Sequence, residues 1–183
     1  MPWGLKRLQQ SRQTHFITFS CYHRRPLLPT SEAKRTFEKA LERIRRNFGL
    51  CVYGYVVMPE HVHLLLSEPE RGTLADAVKS LKQGVSRRLI GEGEHFWQKR
   101  YYDFNVRNYP QFVEKLRYIH RNPVKRGLCA RPQDWEWSSF LQWATGGEGR
   151  VEIECEWTAR RRARAQGRLC AEIELPHSSQ HRA

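Results

Sequence analysis

Hydrophobic and polar residues change their period several times along this 183-residue chain. From Thr14 to Cys21 (THFITFSC) apolar or aromatic side chains alternate with others, which predicts a strand. Arg24, Arg25, Pro26 and Pro29 then form a loop. Thr30 or Ser31 caps a helix to about Phe48: Phe37, Leu41, Ile44 and Phe48 recur at three and four, and Gly49 stops it. Its other face holds Lys34, Arg35, Lys39, Arg43, Arg45 and Arg46. Leu50 to Val57 reads as a second strand, Met58-Pro59 as a turn, and His61 to Ser67 as a third strand in an antiparallel hairpin. Thr73 with Asp76 resembles a capping box. It opens a helix through Leu74, Ala77, Val78, Leu81, Val85 and Leu89, closed by Gly91–Gly93. Phe96 to Val106 contains a fourth strand. Pro110 starts a helix with Phe112, Val113, Leu116 and Ile119 on its apolar face, and Pro123 ends it after Asn122.

The first six elements, β-α-β-β-α-β, are the order of an α+β, ferredoxin-like split βαβ sandwich. That fold is a four-stranded antiparallel sheet with helices on one face, which leaves the other face free for a site. The added C-terminal helix carries a candidate tyrosine. Residues 1–144 are expected to be one domain. Residues 145–183 are expected to be an Arg-rich, partly flexible tail, with a short helix around Ala159–Ala165.

Composition narrows the function. At 39% hydrophobic and 11% aromatic, the chain has a core to bury and is not disordered as a whole. No apolar run approaches the roughly 18 residues of a spanning helix, and MPWGLKRLQQ is no secretory signal, so a cytoplasmic chain without a membrane partner is expected. Cys21, Cys51, Cys129, Cys155 and Cys170 include no CxxC pair, which points to reduced thiols rather than a disulfide framework or a zinc knuckle. The net charge is +13. Residues 1–131 carry 25 Lys and Arg against 11 Asp and Glu, so the basic excess lies there. Nucleic acid is the favoured partner.

His61 and His63 flank one valine, so on a strand both imidazoles face one side while Val62, Leu64 and Leu66 face the core. A lone His-x-His is more often an exposed polar pair than a metal site. Here the other face is wholly apolar, which places the histidines on the open side of the sheet. Tyr118 and Asn122 lie four apart on one helical stripe with Lys115, turned from the Phe112/Leu116/Ile119 face. Such a tyrosine is commonly half-buried packing; beside a metal it can be a nucleophile. A phenol with a pKa of about 10 needs activation by a cation or base. Two imidazoles and an amide oxygen form a mixed N/O set compatible with Mg²⁺ or Mn²⁺. Tyr118 attack on a DNA phosphate would expel a 3′-hydroxyl and leave the 5′-phosphate on the protein. Attack by a free 3′-hydroxyl would then rejoin the strands.

At MPEHVHLLL, FWQKRYYDFNVR, YIHRNPVKRGL and DWEWSSF, in this order, the chain resembles the REP-associated tyrosine transposases of the HUH single-tyrosine group, over about Thr14–Phe140. The resemblance implies that His61 and His63 bind the metal, Asn122 completes the site and Tyr118 is catalytic. Asn122 stands where the insertion-sequence branch usually has Gln. The implied substrate is single-stranded DNA of repetitive extragenic palindromes, folded into hairpins with a short flanking tetranucleotide. The REP-associated branch implies a monomer; insertion-sequence relatives are dimers.

Arg117, Arg121, Lys125 and Arg126 surround Tyr118 and are candidate DNA contacts, against the plainer reading of a solvated basic face. Arg160, Arg161, Arg162, Arg164 and Arg168 are candidates for gripping a hairpin stem, nearly balanced by an unstructured basic tail. Glu60 is expected to point away from the histidines, with a hairpin-turn role as open to it as a catalytic one, and His120 to be structural or DNA-contacting before a general base. Trp97, Trp135 and Trp137 read as packing anchors. Two other functions compete. A non-cleaving DNA or RNA hairpin binder could use the same scaffold, with Tyr53 and Tyr55 as stacking aromatics. A water-using metal nuclease would make Tyr118 dispensable. The intact set of His61, His63 and Tyr118 favours the tyrosine enzyme.

Overall fold

A computed structural model describes residues 13–90 and 95–166. Gly91, Gly93, Arg168 and Cys170 lie outside the described residues. The elements are β1 (Thr14–Ser20), α1 (Ser31–Phe48), β2 (Val52–Val57), β3 (His61–Ser67), α2 (Leu74–Leu89), β4 (Tyr102–Val106), α3 (Tyr109–Lys125), α4 (Phe140–Thr145) and α5 (Glu156–Ala165). The strands form one antiparallel sheet in the order β2-β3-β1-β4, the ferredoxin-like arrangement.

Local signals fix the helices. Thr30 Oγ1 accepts the Ala33 N–H at 3.1 Å, and Gly49 ends α1 at φ 62°, a conformation open to glycine at little cost. Thr73 and Asp76 form the expected reciprocal cap of α2. Ile17 and Phe19 of β1 and Val62, Leu64 and Leu66 of β3 face α1 and α2, where they bury Phe37, Leu41, Ile44, Val78, Leu81 and Val85.

The other sheet face is not left open. Phe16, Val56 and Leu65 pack there under Ile119, Leu116 and Phe112 of α3. Pro123 does not end that helix, which runs to Lys125 with Pro123 buried inside it. A proline removes one N–H, and the turn beyond is still closed by Arg126 N–H to the Asn122 carbonyl at 3.0 Å. Burial of the apolar stripe outweighs that single loss. Tyr118 and Asn122, in the turns before Pro123, lie over the sheet. Gly54 permits the close approach: a methyl group there would sit 2.6 Å from Leu116 Cδ1. An irregularity between Val52 and Gly54 lets Tyr53 also meet α3, its ring 5.5 Å from Phe112.

The chain after α3 covers the edge strand β2. Val57 N–H donates to the Trp137 carbonyl, Trp135 Nε1–H to the Val57 carbonyl, and Ser139 N–H to the Tyr55 carbonyl. These bonds satisfy groups that an open edge would present to another strand. Residues 145–166, the described part of the expected tail, also pack on the body. Val151, Ile153 and Cys155 are buried, and Glu154 N–H donates to the Val52 carbonyl at 2.8 Å. Among the described residues no helix is long and apolar enough to cross a membrane. Cys21, Cys51, Cys129 and Cys155 are unpaired thiols.

Candidate active site

The alternation of β3 turns both histidines toward α3, where each is only 4% exposed. Their Nε2 atoms stand 3.0 Å apart. Asn122 brings its amide nitrogen within 3.2 Å of His63 Nε2, and its Oδ1 is buried without a hydrogen-bond partner. His61 Nδ1–H donates to Glu60 Oε1 at 3.1 Å, because a carboxylate can only accept. That proton leaves the lone pair on His61 Nε2. His63 Nδ1 pairs with Thr18 Oγ1 at 2.6 Å, directly across the β1–β3 register. Burial holds the His61 pKa below the ordinary imidazole value despite Glu60. Burial, with the charges of His61 and Arg24, drops His63 to about 3. Both rings are therefore neutral at pH 7, the state in which imidazole ligates.

Two imidazole nitrogens 3.0 Å apart and an unpartnered amide oxygen are a donor set that suits one divalent cation. Among the described residues no group of three His, Cys, Asp or Glu could hold an ion, and the unpartnered Asn122 amide oxygen is the further group that could join the two imidazoles.

Tyr118 lies one helical turn before Asn122. Its ring is 5.1 Å from the His63 ring and edge-on to Phe16 at 5.8 Å, and the residue is 39% exposed. Lys125 Nζ sits 5.7 Å from the Tyr118 ring centroid. Phe16, Thr18, Arg24, Tyr102 and Arg126 complete a cleft of about 320 Å³ around the histidines, Tyr118 and Asn122. A second, shallower groove runs from Tyr109 past Arg117 and Arg121 to Tyr118 and Lys125.

Four predicted residues thus meet in one place: His61, His63, Asn122 and Tyr118. Arg126 reaches the cleft, where its guanidinium is held by Glu60 at 2.6 Å. Arg117, Arg121 and Lys125 line the adjoining groove. Arg160, Arg161 and Arg162 are not brought to the cleft. Arg160 pairs with Glu156, Arg161 donates to the Gly146 carbonyl, and Arg162 pairs with Glu152 and Glu154.

The expectation that Glu60 faces away is corrected. β3 begins at His61, so Glu60 belongs to the turn, where strand alternation does not apply. His120 is structural: it is buried, pairs with Ser139 Oγ at 2.8 Å and is pushed down to about 4 by burial. Sequence reasoning missed Thr18, whose only signal is its register opposite His63, and Arg24, which no periodicity marks. Tyr55 is buried with its hydroxyl donating to Glu38 at 2.8 Å, and Tyr53 is half-covered by α3, so neither offers a face for a base.

The Y1_Tnp family model, described as transposase IS200 like, matches residues 9–122, more than half of the chain and every element from β1 through the tyrosine stripe of α3. The chain belongs to the IS200-like transposase family. Among its relatives is the REP-associated tyrosine transposase of Escherichia coli strain K12, 27% identical over 129 residues, or 69% of this chain and 76% of that one. The ISDra2 transposase TnpA of Deinococcus radiodurans is 31% identical over 104 residues, 57% of this chain and 63% of that protein. A solved REP-associated tyrosine transposase bound to a REP hairpin superposes with a TM-score of 0.69 at 22% identity, over 84% of this chain and 92% of the other. That likeness carries the fold of this IS200-like transposase well past the family match, into the segment that covers β2.

Proposed function

We propose that this IS200-like transposase cleaves and rejoins single-stranded DNA at repetitive extragenic palindrome hairpins, with Tyr118 as nucleophile. The observation that carries the reading is the 5.1 Å approach of the Tyr118 ring to His63, above the His61–His63–Asn122 donor set. The hairpin substrate rests on the similarity to REP-associated relatives, one of them solved with a REP hairpin.

Tyr118 Oη attacks the scissile phosphorus and the bond to the 3′-oxygen breaks. The phenol proton passes to solvent, and the departing oxygen takes one from water. The 5′-phosphate stays on the tyrosine until a 3′-hydroxyl reverses the step. Phe16 and His63 hold the ring edge-on, which fixes the line of attack. Lys125 sets positive charge beside the ring where the phenol oxygen turns anionic. His61, His63 and Asn122 would hold Mg²⁺ or Mn²⁺, which when bound supplies Lewis-acid polarisation of a phosphate oxygen. Glu60 fixes the His61 tautomer, and Thr18 orients His63. Arg117, Arg121 and Lys125 line the groove that would carry the strand backbone. One chain supplies every side chain named, so a monomer working on DNA in the cytoplasm suffices.

The test uses labelled single strands taken from palindromes beside the gene, with Mg²⁺ or Mn²⁺. A metal-dependent protein–DNA adduct is expected, carrying the DNA 3′ of the cut and absent in Tyr118→Phe. Hairpin retention without cutting, unchanged in the variant, would show a binding module instead. Cutting that survives Tyr118→Phe would show a water-using nuclease.

A further inference from the structure

The loop after β1 carries an arginine that the reading above leaves unused. Arg24 lines the cleft with Tyr118, His61 and His63. The neighbouring Arg126 is neutralised by Glu60. The Arg24 guanidinium has no hydrogen-bond or ion-pair partner among the described residues.

Its backbone is unusual. His23 and Arg24 are consecutive non-glycine residues at φ 51° and φ 55°, in the left-handed region that L side chains rarely adopt. Such conformations persist where the surroundings over-determine them. Here the loop is pinned at both ends. Cys21 N–H donates to the Glu60 carbonyl at 2.8 Å, and Leu28 N–H donates to the Pro59 carbonyl at 2.9 Å. Arg24 N–H closes on the Cys21 carbonyl at 2.9 Å. Both anchors lie in the turn that leads into His61, so the loop and the histidine strand are set as one piece. A strained loop, rigidly tied to the site and presenting a free guanidinium into it, has the form of a preorganised anion clamp. The planar fork of arginine matches two oxygens of one phosphate.

We propose that Arg24 is a catalytic residue, its guanidinium gripping the non-bridging oxygens of the scissile phosphate while Tyr118 attacks. The proposal rests on the tyrosine reading above. Arg24 makes and breaks no covalent bond and keeps its proton. It stabilises the charge that accumulates on the non-bridging oxygens as the Oη–P bond forms and the P–O3′ bond breaks.

The test measures adduct formation by wild type, Arg24→Ala, Arg24→Lys and Tyr118→Phe. Two hairpin-bearing strands are used: one with the ordinary linkage, one with a methylphosphonate at the cleavage position. The second lacks the charge that Arg24 would grip. On the phosphodiester, Arg24→Ala should slow adduct formation by about 10²-fold or more, in the range of a lost transition-state donor, with Arg24→Lys partly restoring it. Hairpin affinity in metal-free buffer should fall by less than about tenfold for both Arg24 variants, well short of the loss in rate, because the clamp grips most strongly where charge accumulates in the transition state. On the methylphosphonate the deficit of Arg24→Ala should shrink at least tenfold. A rate for Arg24→Ala close to wild type, or an equal deficit on both linkages, would overturn the proposal; the second result marks a merely structural loop. If wild type itself gives no Tyr118-dependent adduct, the tyrosine reading fails and the clamp fails with it, a result distinct from either of these.

Discussion

Gly54→Ala tests whether the seating of α3 on the sheet controls both stability and chemistry. The added Cβ would meet Leu116 Cδ1 at 2.6 Å, with Ser139 Oγ at 3.4 Å and Ile119 Cδ1 at 3.8 Å behind it. Apolar carbon pairs are comfortable at roughly 3.5–4.0 Å, so the gap is short by about 1 Å. Leu116 is partly buried against β2, and the contact is relieved by turning its side chain together with a movement of α3 away from the strand. Overpacking of this kind costs about 1–3 kcal/mol. For a chain of this size that lowers Tm by about 2–12 °C. Tyr118 and Asn122 ride on the same helix, while His61 and His63 stay with the sheet. A shift of roughly 1 Å between reacting groups can cost about 10²-fold in rate. Thermal denaturation by circular dichroism gives the first number, and the adduct assay under saturating DNA gives the second. Leu116→Ala removes the atom in the way, so Gly54→Ala with Leu116→Ala should be less destabilised than the sum of the two by about 1 kcal/mol. An unchanged Tm for Gly54→Ala, or strict additivity in the double variant, would refute the argument that this glycine sets the helix position.

Glu60→Gln should weaken Mn²⁺ binding, measured by titration calorimetry, by about 10–100-fold, since an amide no longer enforces the His61 tautomer; unaltered affinity would remove Glu60 from the site. His15 is fully buried between Asp103 at 2.8 Å and Glu68 at 3.3 Å. Burial alone would lower its pKa, but the hydrogen bonds and charges of the two acids outweigh that and raise it above the ordinary value. Its stabilising contribution is therefore complete below the unfolded value of about 6.5 and lost as pH rises through the raised folded value. Urea denaturation should show this decline in wild type, while His15→Ala, costing about 3 kcal/mol at pH 6, should flatten it; parallel pH profiles would contradict the assignment. Arg121→Ala should lower the slope of log affinity for hairpin DNA against log salt by about 1, whereas Arg162→Ala should leave it unchanged, because Arg162 is already paired with Glu152 and Glu154. Equal effects of the two variants would return the α5 arginines to the DNA surface.

Local signals made much of this protein legible in its sequence. The cap at Thr30, the box at Thr73 and Asp76, and the alternation of HVHLLLS act over a few residues. They determined the strands, two of the helices and the pairing of His61 with His63 on one face. The i, i+4 spacing likewise put Tyr118 and Asn122 on one stripe of α3. Tertiary structure alone decided where that stripe lies. Pro123 is a local stop signal, yet burial of Leu116 and Ile119 on β2 carries the helix through it and covers the face expected to be open. Only the packing of strand on strand put Thr18 opposite His63, and only the turn before β3 swung Glu60 onto His61 and Arg126. Arg24 could not be read from the sequence, because its position comes from two left-handed residues in a loop whose ends are pinned to the turn before β3, far along the chain. The arginines of α5 were equally undecided, since a run of like charges does not say which acids will fold back against it. Periodicity names the face a residue occupies; long-range contacts, which it does not encode, decide what meets that face.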